Sequence, residues 1–198
     1  MSQDPRPDVK IRPAIFPDDK ETVSKLFLAY AEFLPVDLSF QNFEQELSGL
    51  PGKYAVENGG AVYLAYTTSI PSAEQTSTSN SSTSITPDVP QASSAPEEQA
   101  IGCIGIRPFR SSTYTSTTAP SCELKRLYLT PASRGLGVGK LLLEVAIQQA
   151  RQLGYGEMLL DTLKSMTTAR GLYERYGFVE IEKYYESVEG AAFYRLVL

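Results

Sequence analysis

A glycine-rich turn, RGLGVGK at residues 134–140, lies between a strand-like segment and an amphipathic helix. Its three glycines alternate, at Gly135, Gly137 and Gly139. Glycine permits tight turns and lets a ligand approach the main chain. The first N–H groups of a helix lack partners, and the helix dipole adds positive potential beside them. The segment therefore predicts a βα unit with an anion site that suits a pyrophosphate, reinforced by the charges of Arg134 and Lys140.

The spacing of these glycines excludes two common nucleotide-binding motifs. The dinucleotide fingerprint G-x-G-x-x-G needs its third glycine one residue after Gly139. The loop G-x-x-x-x-G-K-[ST] needs its two glycines farther apart in sequence than Gly135 and Gly139. It also needs a Ser or Thr hydroxyl after the lysine, where this chain has Leu141. What remains is R-x-x-G-x-G, formed by Arg134, Gly137 and Gly139. By itself this pattern also fits a strand-to-helix turn that binds nothing.

Apolar periodicity predicts an α/β order around this unit. The predicted strands are Val9–Ile15, Ala61–Tyr66, Ile101–Phe109, Cys122–Leu129, Met158–Asp161, Phe178–Ile181 and Ala192–Val197. The predicted helices are one from Asp18 and Asp19 to Pro35, one that Ser39 caps, Val138–Leu153 and Thr167–Tyr176. This order, β-α-α-β-β-β-α-β-α-β-β, is typical of an α/β fold with a mixed sheet. Apolar residues on both faces of the fourth strand place it at the sheet centre.

Two segments rich in serine and threonine interrupt the pattern. Residues Thr67–Ala100 have almost no aliphatic side chains and cannot bury enough apolar surface to offset their ordering entropy. We therefore expect a disordered, low-complexity insertion at 67–100, within a hairpin because predicted strands flank it. Residues 110–121 form a shorter Ser/Thr loop. The whole chain, 1–198, is expected to be a single domain.

Composition excludes several classes of function. The chain has no histidine, which removes imidazole-based catalysis and zinc sites that need imidazole, and we expect no metal. Its net charge of −5 disfavours nucleic acid as a partner. Cys103 and Cys122 lie in apolar strands, so we expect both to be buried. No apolar run approaches a membrane span, and the start MSQDPRPDVK does not resemble a secretory signal. A cytoplasmic or nuclear location is expected, with no membrane partner.

Two longer segments extend the pattern of the glycine-rich turn to a known family. CELKRLYLTPASRGLGVGKLL resembles the central strand, pyrophosphate loop and helix of the GNAT family of N-acetyltransferases. LLDTLKSMTTARGLYERYGF is similar to the family's next strand and helix. Its A-x-x-L-Y-x-x-x-G-F pattern falls on Ala169, Leu172, Tyr173, Gly177 and Phe178. The resemblance implies a GNAT-type mixed, mostly antiparallel central sheet that is flanked by helices.

The resemblance also implies acetyl-CoA as co-substrate, bound in a V-shaped opening between two neighbouring strands. Its pantetheine arm would pair with the strand backbone at Leu127, Tyr128 and Leu129. Its pyrophosphate would lie on Arg134, Gly135, Leu136, Gly137, Val138, Gly139 and Lys140. Many family members carry Asn seven residues before the tyrosine of L-Y, where this chain has Met166. The neighbouring Ser165 is the candidate to replace that contact.

The mechanism that the resemblance implies is direct attack of a neutral amine on the thioester. It needs a base, a donor to polarise the carbonyl, such as the N–H of Leu127, and a proton donor for the leaving thiolate. Tyr173 matches the family tyrosine and is the candidate donor, the alternative being a core aromatic. Glu123 is the candidate base. The alternatives are a water chain as base and a surface pair between Glu123 and Lys125.

The acceptor site is expected to include Tyr30, Arg126 and Tyr184. Arg126 braces either the sheet or an acceptor carboxylate. Tyr184 and its neighbour Tyr185 either form an acceptor wall together or divide between core and surface. The sequence predicts a small-molecule amine or an amino acid as the acceptor, with the enzyme acting as a monomer or homodimer. The alternatives are a protein or peptide N-acetyltransferase and a non-catalytic sensor that binds CoA.

Overall fold

The computed structural model of the protein describes residues 8–36, 42–67, 98–111, 114 and 120–198. The described strands are β1 (Val9–Pro13), β2 (Ala61–Thr67), β3 (Gln99–Phe109), β4 (Ser121–Leu129), β5 (Glu157–Leu163), β6 (Val179–Ile181) and β7 (Ala191–Val197). The described α-helices are α1 (Lys20–Phe33), α2 (Phe43–Ser48), α3 (Val138–Gln152) and α4 (Thr167–Arg175). The predicted order of helices and strands is confirmed.

The seven strands form one mixed sheet in the order β1-β2-β3-β4-β5-β7-β6. Only the β4–β5 pair is parallel among these strands, and every other neighbouring pair is antiparallel. Strand β4 is the fourth of the seven, which confirms the central position predicted from its two apolar faces. The architecture confirms the predicted mixed, mostly antiparallel sheet.

The helices bury apolar stripes against the two faces of the sheet. On one face, Leu142, Ala146 and Ala150 of α3 join a core cluster with Ile104 and Ile106 of β3. Their spacing of four residues places them on one side of the helix. The opposite face holds a second cluster. It consists of Val23, Leu26 and Phe27 of α1, Phe43 of α2, Leu64 of β2 and Tyr128 of β4. The sheet is therefore covered by helices on both sides.

The two cysteines belong to the core, as predicted. Cys103 and Cys122 are both unexposed and are free thiols. Burial raises the pKa of each thiol to about 12, so both stay protonated near neutral pH. They therefore act as small apolar side chains rather than nucleophiles.

Some predicted boundaries move in the structure. Thr67 pairs with Gln99 in the β2–β3 hairpin, so the strands include both ends of the segment assigned to the 67–100 insertion. The rest of that insertion, 68–97, lies outside the described residues. Ser121 belongs to β4, and residues 112–113 and 115–119 of the shorter loop also lie outside. So does Ser39, the predicted cap of the second helix, which begins at Phe43.

Asp19 stands at the start of α1, as predicted, but its carboxylate does not cap the helix. It accepts hydrogen bonds from Arg12 Nη1 and Nη2 at 2.6 and 2.9 Å, and from the Ile15 N–H at 2.7 Å. The bond from Arg12 is the main cause that lowers the pKa of Asp19 below its ordinary value of 3.8. The side chain thus ties α1 to β1.

Asp19→Asn is expected to lower the free energy of unfolding by about 1–2 kcal/mol at neutral pH, because it removes a charge-assisted pair that is buried at Asp19 and screened by solvent at Arg12. A lowered pKa contributes stability that is present above the unfolded value and lost as pH falls through the folded one. The difference from the wild type should therefore shrink below about pH 4. Urea unfolding at several pH values measures it, and the exposed neighbour variant Asp18→Asn is the control.

Candidate active site

Strands β4 and β5 separate partway along their length. They pair at three positions, from Ser121–Glu157 to Glu123–Leu159, although β4 continues to Leu129 and β5 to Leu163. The Thr130 N–H donates to the Ile101 carbonyl of β3 at 2.9 Å. Because successive N–H groups of a strand point to opposite sides, those of Leu129 and Leu127 point toward the opening. The V-shaped opening lies where the sequence predicted it.

A bulge lies in β4 beside this opening. The β3–β4 register shifts between Cys103 and Gly105, and Arg126 has a φ of 58°. A non-glycine residue in this left-handed region needs its surroundings to hold it. The Arg126 guanidinium binds both oxygens of Glu46 on α2, at 2.8 and 3.0 Å. It also lies over the rings of Tyr30 and Phe43, at 5.6 and 5.0 Å.

Arg126 therefore braces helix α2 against the sheet, which was one of the two predicted roles. Its side chain is 2% exposed, and its Nε and Nη2 groups both donate to Glu46. Two of its three nitrogens are therefore occupied in holding α2. The expectation that Arg126 binds the acceptor directly is therefore not supported by its contacts, although its side chain lines the opening.

The glycine-rich turn enters α3 through two residues with positive φ. Gly135 has a φ of 81° and Gly137, the N-cap residue, a φ of 80°. A Cβ at either position would meet nothing within 4 Å, so both face open space. Gly139 is different, because its Cβ would lie 3.4 Å from the Leu129 side chain. The first two glycines shape an open cradle, and the third lets α3 pack closely on β4.

Cationic side chains border this cradle. Arg134 is exposed, lies 4.3 Å above the ring of Phe33 and donates from Nε to the Leu129 carbonyl at 3.4 Å. Lys140 is exposed and lies 3.8 Å from Glu144. Val138 is buried, whereas Leu136 is 46% exposed. Phe33 of α1 is 47% exposed, and its ring supports the Arg134 side chain.

A cavity of about 60 Å³ occupies the opening between β4 and β5. Tyr173 lines it from α4, facing Tyr30 and Leu127. Tyr173 is 5% exposed and packs on Phe178 and Tyr194. Burial is the main cause that raises its pKa above the usual range, so the phenol stays protonated at neutral pH. Its hydroxyl has no hydrogen-bond partner among the described residues and can donate to a ligand in the cavity.

Two polar side chains in this cavity were not predicted. Thr162 and Asp161 of β5 both line it. Thr162 donates to the Met166 sulfur at 3.6 Å, whereas Ser165 is exposed and does not line the cavity. Thr162, rather than Ser165, thus places a hydroxyl in the opening. The apolar run that predicted β5 ends at Asp161. In the structure β5 continues to Leu163, and this longer strand brings Thr162 into the cavity.

Glu123 is 1% exposed and bound on both oxygens. Its Oε2 accepts from Arg107 at 2.7 Å. Its Oε1 lies 3.4 Å from Lys125 Nζ and accepts from Tyr184 at 3.3 Å. The predicted pair with Lys125 is present, but buried rather than at the surface. Glu123 can act as a base only if one of these contacts breaks, and that role stays a prediction.

The contacts of Glu123 are part of a larger ion-pair network, defined here as Glu46, Arg107, Glu123, Lys125, Arg126 and Asp161. Lys125 Nζ lies 2.7 Å from Asp161, and Arg107 joins Glu123 to Glu46. Burial opposes ionisation of Asp161, but the charge and hydrogen bond of Lys125 keep its pKa below the ordinary value. Three cations thus balance three carboxylates, and no carboxylate in the network is unpaired.

A larger cavity, which we call the acceptor-side cavity, has a volume of about 720 Å³. Its lining residues are Gly52, Lys53, Asn58, Arg107, Pro108, Phe109, Arg110, Glu123, Lys125, Tyr185 and Glu186. Lys125 lines both this cavity and the smaller one, so the two adjoin at that residue. Small-molecule sites in proteins have volumes of about 300–1,000 Å³, a range that includes this cavity.

The two adjacent tyrosines divide between the core and the cavity, so neither the shared wall nor the division between core and surface holds in full. Tyr184 is 5% exposed and packs edge-on against Phe109 and Phe193, at 5.0 Å from each. Tyr185 lines the acceptor-side cavity and accepts a hydrogen bond from Lys125 at 3.1 Å. Tyr185, rather than the predicted Tyr184, therefore lines this cavity, because Tyr184 packs against Phe193 of β7.

Comparison with known proteins decides the family. Residues 74–178 match the profile of the acetyltransferase (GNAT) family. The chain belongs to this family. An uncharacterized N-acetyltransferase of Dictyostelium discoideum is 33% identical, over 83% of this chain and 87% of its own. Another, of Schizosaccharomyces pombe, is 30% identical, over 91% of this chain and 88% of its own.

Solved structures agree with this GNAT fold. A GNAT acetyltransferase of Staphylococcus aureus has a TM-score of 0.61 at 18% identity, covering 95% of this chain and 98% of its own. The yncA acetyltransferase of Salmonella typhimurium, solved with acetyl-CoA, has a TM-score of 0.61 at 16% identity. The match covers 96% of this chain and 93% of its own. The chain is thus an acyl-CoA N-acyltransferase of the GNAT family.

Two further properties concern the part of the chain that the structure describes. In that part, no group of three or more acidic or thiol side chains is arranged to hold a metal ion. Within the same residues, the helices are too short or too polar to cross a membrane.

Proposed function

We propose that this GNAT enzyme transfers the acetyl group of acetyl-CoA to the amine of a small molecule or an amino acid. The observation that carries the proposal is the opening between β4 and β5, lined by Tyr173. The anion-binding turn lies at the C-terminal end of β4, and the acceptor-side cavity meets the opening at Lys125. A cofactor and an acceptor can therefore approach the same point from two sides.

The residues around the opening fit acetyl-CoA. The outward N–H groups of Leu127 and Leu129 suit the amide-bearing pantetheine arm. The open cradle at Gly135 and Gly137 suits the pyrophosphate, with Arg134 and Lys140 to offset its charge. Acetyl-CoA supplies the acetyl group in activated form, as a thioester.

In the proposed reaction, the neutral amine nitrogen attacks the thioester carbonyl carbon. The C–N bond forms and the C–S bond breaks, and the sulfur leaves with the bonding electron pair. The Leu127 N–H polarises the carbonyl, and the Tyr173 phenol donates a proton to the sulfur. Because both oxygens of Glu123 are engaged, we assign removal of the amine proton to water in the acceptor-side cavity. Solvent then reprotonates Tyr173.

The acceptor-side cavity supports a small acceptor over a long peptide. Its volume of about 720 Å³ is that of a small-molecule site, and side chains of β3, β4 and the segment after β6 wall it. Thiol release from acetyl-CoA, measured against pooled amines, amino acids and peptides with mass detection of products, tests the proposal. Acetylated small amines are expected. Acetylation of peptides alone would contradict the acceptor class, and no product from any amine would contradict the proposed function.

A further inference from the structure

We infer that the acceptor carries a carboxylate in addition to its amine, and that Lys53 and Arg110 bind this carboxylate at the outer part of the acceptor-side cavity. The inference rests on the proposed function and names the substrate class of the same site. It follows from the distribution of charge in the cavity, which differs from that of the whole chain.

Four cations and two carboxylates line the cavity. Arg107, Lys125 and Glu123 belong to the balanced ion-pair network and contribute no net charge. Glu186 lies 2.7 Å from Lys183, which offsets its charge from outside the cavity. Lys53 and Arg110 remain, and neither has an ion-pair partner among the described residues. Among the described residues, the cavity lining therefore carries two positive charges without an ion-pair partner, within a chain of net charge −5.

The exposure of its lining residues distinguishes an inner end of the cavity from an outer end. The Lys125 side chain is 6% exposed and borders the opening beside Tyr173, whereas Lys53 and Arg110 are exposed. The reacting amine must approach the inner end, where the two cavities meet. An anionic group on the same molecule then lies toward Lys53 and Arg110, which stand on different segments, before β2 and after β3. Arg110 can bind a carboxylate with two parallel hydrogen bonds.

The same arrangement disfavours acceptors that carry only positive charge. A polyamine or a lysine-rich peptide would bring cations against Lys53 and Arg110, and like charges at short distance repel. The acidic surface of the chain attracts cations in general, but the cavity where the reaction would occur does not. An amino acid satisfies both ends of the site when the spacing of its amine and carboxylate matches the distance between the inner and the outer end.

Matched acceptors test the inference. Each amino acid in the panel is compared with its amide and with the amine that lacks the carboxyl group, and spermidine represents a purely cationic acceptor. The readout is kcat/KM from thiol release, with acetylated products identified by mass. The amino acid is expected to exceed its amide by about tenfold or more, the scale of a charge-assisted hydrogen bond.

Lys53→Ala and Arg110→Ala should each raise KM for the amino acid by about tenfold while leaving the amide unchanged. Arg151→Ala, an exposed cation on α3 that lines neither cavity, is the matched control and should change neither. Equal rates with amino acid and amide, a preference for spermidine, or no response to the two variants would overturn the inference while the transferase activity stands. Absence of product from every amine would overturn the proposed function itself.

Discussion

Gly137→Glu is expected to weaken acetyl-CoA binding by about a thousandfold or more, because it removes an anion site rather than one contact. Gly137 has a φ of 80° at the N-cap of α3. A side chain there would enter the cradle that faces the cofactor, and a carboxylate would compete with the pyrophosphate for the helix N-terminus. Nothing lies within 4 Å of the added Cβ, so the cost to folding is the backbone strain of a positive φ and not a clash.

The matched control for this variant lies at the other end of the same helix. Gly154 has a φ of 79°, and its added Cβ would also meet nothing within 4 Å. Gly154→Glu therefore has the same backbone strain and the same added charge without touching the cradle. Titration calorimetry with acetyl-CoA should show near-normal affinity for Gly154→Glu and none measurable for Gly137→Glu. Normal affinity in both variants would remove the cradle from the cofactor site.

Tyr173→Phe is expected to lower kcat by about a hundredfold or more and to leave the affinity for acetyl-CoA nearly unchanged. The hydroxyl has no partner among the described residues, so its removal leaves no buried group unsatisfied and should not unfold the protein. The remaining ring keeps its packing on Phe178 and Tyr194. Steady-state rates and an acetyl-CoA titration separate the two effects.

Tyr176→Phe serves as the comparison on the same helical segment. The Tyr176 hydroxyl donates to Glu144 at 2.6 Å on the outside of the protein and lines neither cavity. Its loss should leave kcat unchanged. If Tyr173→Phe also kept full turnover, the leaving thiolate would take its proton from solvent and Tyr173 would serve packing alone.

The fold could be predicted because its elements depend on local patterns. Residues Val138–Gln152 form a helix since apolar side chains recur every three or four positions and Gly154, at a φ of 79°, ends it. The central place of β4 followed from its two apolar faces. Boundaries were less accurate, because whether Thr67 and Gln99 join the hairpin depends on pairing between strands, which composition does not report.

The candidate site was predicted less completely, because its side chains meet through tertiary contacts. Arg107 binds Glu123 across the β3–β4 register, and Glu46 reaches Arg126 from a helix eighty residues earlier in the chain. Neither pair has a local sequence signal. Tyr184 and Tyr185 are adjacent and chemically identical, so only the direction of the backbone decides which one faces the cavity. The glycine-rich turn, in contrast, depends on consecutive residues, and its position between β4 and α3 was predicted.

The balanced ion-pair network has a consequence for how enzymes of this architecture can change their acceptors over time. A substitution of Glu46 or Lys125 leaves Arg126 or Asp161, respectively, buried without an ion-pair partner among the described residues, which costs about 3–5 kcal/mol. A tolerated change at such a residue therefore needs a second substitution, at its partner on a separate helix or strand. Lys53 and Arg110 have no ion-pair partner among the described residues. Single replacements there therefore alter the charge of the cavity at little cost to folding. Divergence between closely related sequences should therefore concentrate at these two outer positions, while the six network residues persist or change together.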